Sequence, residues 1–197
     1  MYLKEIESIR IAAHAATIAH NGLFRKNGTT PYIVHPANVA QMVRLYDNSC
    51  HLGVITAWSH DILEDCGENG SRIFDDMIVK LRERNLLTND GAHRVMDAVD
   101  ALTKNDAIPN RTAKWVDCIV RLTHEDTPHF AILVKICDRI DNLMDMEGFK
   151  PGFEKVYIEE TDMLIDAIGK IHLTMEDEAA FYDLRRLRDH IVKRDNL

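Results

Sequence analysis

The sequence contains no run of about eighteen consecutive apolar residues, the length that a membrane-spanning helix needs. Residues 1–10 also lack the apolar core of a signal peptide. Because both features are missing, we expect neither a membrane span nor secretion. The sequence therefore predicts a cytoplasmic protein that has no membrane partner.

Basic residues are scarce relative to acidic ones, since 24 Lys and Arg against 32 Asp and Glu leave a formal net charge of −8. This balance argues against a nucleic-acid backbone or an anionic membrane as the main partner, because both attract cationic surfaces. If the substrate is a polyanion, a local group of cations must attract it.

Closely spaced cysteines are also missing. The four cysteines, Cys50, Cys66, Cys118 and Cys137, show none of the spacings of zinc ribbons or redox pairs. We therefore expect reduced thiols in the core or near the surface. A chain of 197 residues can bury a full core without disulfides or a structural metal, so any metal ion in this protein would be functional.

Alternating apolar patterns and fixed repeats are absent, and nearly every long segment has helical periodicity. The sequence predicts an all-α fold, a helical bundle of about eight to ten helices forming one domain over residues 1–197. Pro151-Gly152 is the one candidate linker, but the segment after it is too short and too amphipathic for a second domain. The predicted helices span about 2–21, 36–46 with His35 as N-cap, 52–67, 71–84 capped by Ser71, 89–103, 111–123, 129–146, 153–172 and 176–193.

The segment 54–65 concentrates ionisable residues on a helix that is otherwise apolar nearly all round. His60, Asp61, Glu64 and Asp65 fall within about 140° of one another on a helical wheel. Three carboxylates on a buried helix need a compensating cation, because an isolated buried charge is costly. A metal ion would supply that charge, and the alternative is a solvated acidic helix end.

A second apolar segment, 131–143, carries a polar stripe that includes Lys135, Asp138, Arg139 and Asn142. Asp138 is expected to face inward beside cations. One interpretation is a buried carboxylate paired with Lys135 or Arg139. The presence of the other acidic helix favours Asp138 as a further metal ligand.

Five motifs in series carry a resemblance to a known family. They are AHNGLFRK at 19–26, PYIVHP at 31–36, HDILED at 60–65, LTK at 102–104 and KICDRIDNL at 135–143. Their order and spacing over about residues 8–146 resemble the HD-type hydrolase domain of the RelA/SpoT family. The sequence stops where long family members continue into a synthetase domain, so we expect a small stand-alone alarmone hydrolase, with the helices of about 153–193 closing the domain.

The resemblance implies a Mn²⁺ site formed by His35, His60, Asp61 and Asp138. Two imidazoles and two carboxylates suit a moderately hard divalent cation, and the lack of thiolate ligands disfavours a structural zinc. By periodicity alone, His35 would be interpreted as an N-cap or loop residue.

The implied reaction removes pyrophosphate from the 3′ position of ppGpp or pppGpp and leaves GDP or GTP. Mn²⁺ would activate water and polarise the phosphoryl group. The resemblance gives Glu64 and Asp65 the tasks of orienting that water and handling protons. The nucleotide is the one partner expected, and the sequence predicts no oligomeric state.

The resemblance also implies residues that bind the substrate. Arg25 and Lys26 would lie over the guanine base and the phosphates, and Asn142 would contact the nucleoside. Lys135 and Arg139 share the polar stripe of Asp138 and are assigned to the same task. The alternatives are that Arg25-Lys26 is solvated surface and that Arg139 pairs with a carboxylate of the metal cluster.

Two departures from the family pattern concern the substrate more than the metal. Leu23 stands where a Gln is usual, and Asp145 stands where an uncharged hydroxyl residue is common. Two other functions therefore stay open. One is a phosphohydrolase acting on another nucleotide, such as a nucleoside monophosphate or the 2′-phosphate of NADPH. The other is a catalytically weak protein that sequesters a nucleotide, as an antidote to an alarmone-producing toxin would.

Overall fold

The computed structural model describes residues 2–150 and 152–195, and within them the chain is helical with no strand beyond one isolated bridge, between Phe24 and Pro31. The predicted all-α fold is confirmed. In the described part of the chain there are ten α-helices and one 3₁₀ turn at Met146–Gly148. The helices are α1 (Tyr2–Ala19), α2 (Val34–Tyr46), α3 (His51–Ser59), α4 (Ile62–Asp65), α5 (Gly67–Glu83), α6 (Asn89–Leu102), α7 (Arg111–Leu122), α8 (Phe130–Met144), α9 (Phe153–Ile168) and α10 (Met175–Asp195).

Two predicted helix starts are wrong. His35 is not an N-cap but lies inside the first turn of α2, which begins at Val34. The turn before the helix explains this, because the carbonyls of Pro31 and Tyr32 already accept the N–H groups of Val34 and His35. Ser71 is likewise no cap, since α5 begins four residues earlier, at Gly67, whose left-handed backbone (φ +55°) turns the chain directly out of α4.

The predicted third helix is interrupted at His60-Asp61, so α3 ends at Ser59 and α4 begins at Ile62. Nδ1 of His60 donates to the carbonyl oxygen of Ala57 at 2.7 Å. In a continuous α-helix that carbonyl would accept the backbone N–H of Asp61. The side chain thus competes with the backbone, and the break redirects the two residues that carry the motif.

The remaining helix ends differ from the predicted ones by no more than four residues. Pro151 of the predicted linker lies outside the described residues, and Gly152 precedes α9 with a left-handed φ of +82°. All four cysteines are free thiols as predicted, with Cys118 and Cys137 buried. None of the described helices combines the length and the apolar character required to cross a membrane.

Helix α8 lies at the centre of the bundle and contacts α2, α3, α6 and α10. Nearly all its residues are buried, including the apolar Leu133 and Ile136. A second apolar cluster contains residues of α1, α3, α4, α5 and α6, among them Ile55, Ile62 and Phe74. Because α2, α3 and α8 pack against one another, the polar residues at the end of α3 face those of α8 across a short distance.

Truncating the core of α8 tests this architecture. Leu133 is 2% exposed, so Leu133→Ala should lower the free energy of unfolding by about 2–5 kcal/mol, the range for a buried leucine. Denaturant unfolding measures the change. Leu45→Ala is the matched control because Leu45 is 74% exposed, and its effect should stay within about 0.5 kcal/mol. Equal effects of the two substitutions would contradict the burial of α8.

Candidate functional site

His60 presents one ring nitrogen to a group of carboxylates. Its Nδ1 donates to the carbonyl of Ala57, which leaves Nε2 as the acceptor nitrogen. Nε2 is buried without a hydrogen-bond partner. It lies 3.2 Å from Oδ2 of Asp61 and 3.9 Å from Oδ1 of Asp138. An unsatisfied buried nitrogen between two carboxylates is the arrangement that a cation would complete.

His35 faces the same point from α2. Its Nδ1 donates to Oδ2 of Asp141 at 2.6 Å, so its Nε2 is also left as an acceptor. That nitrogen lies 3.2 Å from Oδ1 of Asp138 and 3.4 Å from Oδ2 of Asp61. Ligand atoms of His35, His60 and Asp138 all lie within 4.8 Å of one another, and Asp61 contacts both imidazoles.

These four side chains fit a divalent metal ion. Each imidazole offers its Nε2 while its Nδ1–H is held by an oxygen atom, the usual arrangement for a histidine ligand. The two carboxylates supply hard oxygen donors and negative charge. The structure therefore brings together all four residues that the resemblance implies as ligands. They come from α2, from the break between α3 and α4, and from α8.

The four groups also interact strongly through their charges. Burial by itself lowers the pKa of His35 and of His60, but the adjacent aspartates raise both above the ordinary value. Burial would raise the pKa of Asp61 and of Asp138, yet the imidazoles, together with Lys135 beside Asp138, lower both well below the usual range. The two carboxylates are therefore ionised, as metal ligands must be.

Asp138 has further partners on its own helix. Lys135 donates to its Oδ2 at 3.0 Å, and Nδ2 of Asn142 donates to its Oδ1 at 2.5 Å. The alternative interpretation of Asp138, a buried carboxylate paired with Lys135, is thus correct as geometry. This pairing does not exclude Asp138 as a metal ligand, because Oδ1 still faces the imidazole of His35.

Glu64 and Asp65 lie on α4 at the mouth of the site. Glu64 accepts hydrogen bonds from the ammonium and the backbone N–H of Lys104. The crowding of protein around the Asp65 carboxyl group, and then the charge of Asp61, raise the pKa of Asp65 to about 6. Both side chains therefore lie next to the four candidate metal ligands but are not among them.

Tyr32 is a residue of the site that the sequence analysis missed. Its hydroxyl donates to Oδ2 of Asp61 at 2.7 Å, and its ring stacks on His20 at 4.8 Å between centroids. Burial and the charge of Asp61 raise the pKa of Tyr32, so the hydroxyl keeps its proton and remains a donor. Its place in the PYIVHP motif, three residues before His35, was the available signal.

Arg25 and Lys26 both line the site but differ in exposure and partners. Arg25 is buried and donates to Asp145 at 2.9 Å and to Asp141 at 3.4 Å, so the alternative of a solvated surface residue is wrong for it. Lys26 is exposed, and its ammonium lies 4.0 Å from the ring centroid of Phe149. The loop after α1 thus brings two cations to the cavity.

Arg139 does not pair with the metal cluster, so that alternative is wrong. Its guanidinium lies between the rings of Trp115 and Tyr157, at 4.3 and 4.0 Å from their centroids, and 3.9 Å from Glu160. Glu160 also accepts two hydrogen bonds from Arg111. Arg139 turns towards α9 because the aromatic rings and the carboxylate of that side attract a cation.

A cavity of about 300 Å³ joins these groups. The imidazoles of His35 and His60 lie behind Asp61 and Asp138, and nine predicted site residues line the cavity: Arg25, Lys26, Asp61, Glu64, Asp65, Lys135, Asp138, Arg139 and Asn142. The sequence analysis missed an aromatic wall contributed by Phe149, Phe153 and Tyr157. Their spacing of four residues was a possible signal, but they follow the last motif of the resemblance.

The fold of this chain is shared with a solved structure. A solved structure described as a metazoan ortholog of SpoT that hydrolyzes ppGpp and plays a role in starvation responses superposes with a TM-score of 0.68 over 92% of this chain and 95% of the other, at 19% identity. The chain therefore has the all-helical fold of that SpoT ortholog. No protein-family model matches the chain.

A curated relative is similar in sequence. The guanosine-3′,5′-bis(diphosphate) 3′-pyrophosphohydrolase of Aquifex aeolicus is 30% identical over 162 residues, which make up 81% of this chain and 21% of the relative. The chain thus spans about a fifth of the length of the curated relative that it matches. Together with the shared fold, this similarity confirms the resemblance to RelA/SpoT hydrolases that the motifs indicated.

Proposed function

We propose that this protein is a Mn²⁺-dependent hydrolase that removes pyrophosphate from the 3′ position of ppGpp or pppGpp, leaving GDP or GTP. The observation that carries the proposal is the convergence of His35, His60, Asp61 and Asp138 at the base of a cavity that is also lined by cations. The activity named for the Aquifex aeolicus relative supports the choice of reaction. The predicted cytoplasmic location stays a prediction.

The metal ion would be held by Nε2 of His35 and His60 and by the carboxylates of Asp61 and Asp138. When bound, a divalent ion in such a site lowers the pKa of water and withdraws charge from a phosphoryl oxygen. Mn²⁺ is the proposed ion because nitrogen and oxygen donors without thiolates suit it. Tyr32 keeps the Asp61 carboxylate in place through its hydroxyl.

Glu64 and Asp65 have positions suited to proton transfer. In the reaction, water attacks the phosphorus that is bonded to the 3′ oxygen, and the bond between that oxygen and phosphorus breaks. The attacking water must lose a proton, and the 3′ oxygen must gain one. The carboxylate of Glu64, oriented by Lys104, takes the proton from water. Asp65, which lies beside Asp61, helps to deliver a proton to the 3′ oxygen.

The substrate binds along the part of the cavity that is lined by basic side chains. Arg25 presents a guanidinium plane that two carboxylates hold in place, and a guanidinium can stack on a base or bind a phosphate. Lys26, Lys135 and Arg139 place positive charge along the same cavity. Carboxylates line the same cavity in equal number to its basic side chains, so these cations together with a bound divalent ion would supply the attraction for a polyanion that the overall charge of −8 does not.

Replacing Arg25 tests the nucleotide-binding part of the proposal. If Arg25 stacks on guanine, Arg25→Ala should raise KM for ppGpp about tenfold or more, the scale of a lost contact of about 1–3 kcal/mol. Metal content should not change, because Arg25 contacts none of the four proposed ligands. Steady-state kinetics and metal analysis measure both quantities.

A simple chromogenic phosphate ester is the control substrate, because it has no base to stack. Its hydrolysis should respond much less to Arg25→Ala. Equal losses on both substrates would mean that Arg25 serves the phosphate or the fold instead of the base. Chromatography of the products adds a direct test, since ppGpp should yield GDP and intact pyrophosphate.

A further inference from the structure

Asp141 joins two parts of the site that the sequence analysis treated separately. It lies on α8 one turn after Asp138 and is 6% exposed. Its Oδ2 accepts from Nδ1 of His35 at 2.6 Å and from Nη2 of Arg25 at 3.4 Å. Its Oδ1 accepts from Nδ2 of Asn38 at 2.8 Å. One buried carboxylate therefore contacts a proposed metal ligand and a proposed substrate-binding residue.

The contact with His35 decides which ring nitrogen is available. A carboxylate without a proton can only accept hydrogen bonds, so it holds the proton of His35 on Nδ1. The lone pair of Nε2 then points towards Asp138 and Asp61. A carboxylate behind a histidine ligand also raises the basicity of the ring and fixes its orientation.

The contact with Arg25 helps to fix a guanidinium plane. Arg25 donates through Nη2 to Asp141 and through Nε to Asp145, the residue that follows the end of α8. These two carboxylates, one in the last turn of α8 and one just after it, hold the guanidinium at two different nitrogens. They hold it on the cavity wall, with its central carbon 5.9 Å from the ring centroid of Tyr32.

On these contacts, and resting on the proposed function, we propose that Asp141 is a positioning residue that couples the metal ligand His35 to the substrate-binding Arg25. Asp145 shares only the second of these contacts. The two aspartates therefore form a matched pair. Asp141 should influence both metal affinity and nucleotide binding, whereas Asp145 should influence nucleotide binding alone.

The test compares Asp141→Asn with Asp145→Asn in the full chain. The amide at position 141 can still accept from His35 and Arg25 through one oxygen, but it lacks the negative charge, and its NH₂ group replaces the oxygen that accepts from Asn38. Mn²⁺ titration followed by electron paramagnetic resonance, without nucleotide, should show affinity about 10- to 100-fold weaker in Asp141→Asn, the usual scale for such a supporting contact. Asp145→Asn should bind Mn²⁺ as the unmodified protein does. At saturating Mn²⁺, both variants should show a raised KM for ppGpp.

Equal Mn²⁺ affinity in the two variants would overturn the proposal, even if the unmodified protein hydrolyses ppGpp. Weaker Mn²⁺ binding in Asp141→Asn alone, in a protein that does not hydrolyse ppGpp, would instead refute the proposed function and leave the support of His35 standing. If Asp141→Asn does not fold, histidine-selective ¹⁵N NMR of the unmodified protein loaded with diamagnetic Zn²⁺ decides. The proton of His35 should be on Nδ1, and a proton on Nε2 would overturn the proposal.

Discussion

His60→Ala should abolish both stoichiometric Mn²⁺ binding and hydrolysis of ppGpp. The substitution removes one of the two Nε2 atoms that face Asp61 and Asp138, and it leaves these two carboxylates with fewer partners. Three protein groups would remain, but the charge and geometry of the site would change together. Metal analysis of the purified variant and pyrophosphate release measure the two losses.

His190→Ala is the matched control because His190 is an exposed residue of α10. It should retain both metal and activity. Asp61→Ala should behave like His60→Ala, since Oδ2 of Asp61 contacts both imidazoles. Stoichiometric metal in either His60→Ala or Asp61→Ala would remove the proposed ligand set.

Glu64→Gln should lower turnover by about 10²-fold or more while the metal stays bound. The amide keeps the size of the side chain and still accepts a hydrogen bond from Lys104, but it cannot take a proton from water. The expected loss is the usual scale for a positioned acid or base. Rates at saturating Mn²⁺ together with metal analysis separate a defect in proton transfer from a defect in metal binding.

Glu68→Gln provides the comparison for that result, because Glu68 is exposed in the first turn of α5 and lies outside the cavity lining. Its turnover should match that of the unmodified protein. A rate near the unmodified one for Glu64→Gln would contradict the assignment of Glu64, and a simultaneous loss of metal would assign it to the metal site instead.

The helices could be predicted from the sequence because their apolar periodicity reflects burial. Every predicted helical segment is present, and α8 is as buried as its apolar pattern indicated. The interruption at His60-Asp61 could not be predicted from a helical wheel. It depends on the hydrogen bond of the His60 side chain to Ala57, and a wheel assumes an unbroken backbone. The residues nevertheless face one site, because α4 resumes directly after the break.

The ligand set was predicted through the motifs, whereas its supporting contacts required the fold. His35 lies 25 residues before His60 in the chain, and only the packing of α2 against α3 and α8 brings its Nε2 to the cluster. Asp141 was visible as a polar residue in an apolar helix, but its partners on α2 and in the loop after α1 are tertiary contacts. The aromatic wall from Phe149 to Tyr157 lies beyond the motifs, so the resemblance gave no sign of it.

The measurement that tests the central claim most directly is release of pyrophosphate from ppGpp by the unmodified protein, with and without Mn²⁺, across a panel of nucleotides. The panel includes pppGpp, nucleoside monophosphates and NADPH, and a metal-chelated sample is the reference. The account predicts turnover of ppGpp or pppGpp into GDP or GTP that depends on Mn²⁺ and exceeds turnover of the other nucleotides. Turnover of NADPH or a monophosphate without pyrophosphate release from ppGpp would contradict it, and tight binding of ppGpp without turnover would show a sequestering protein instead.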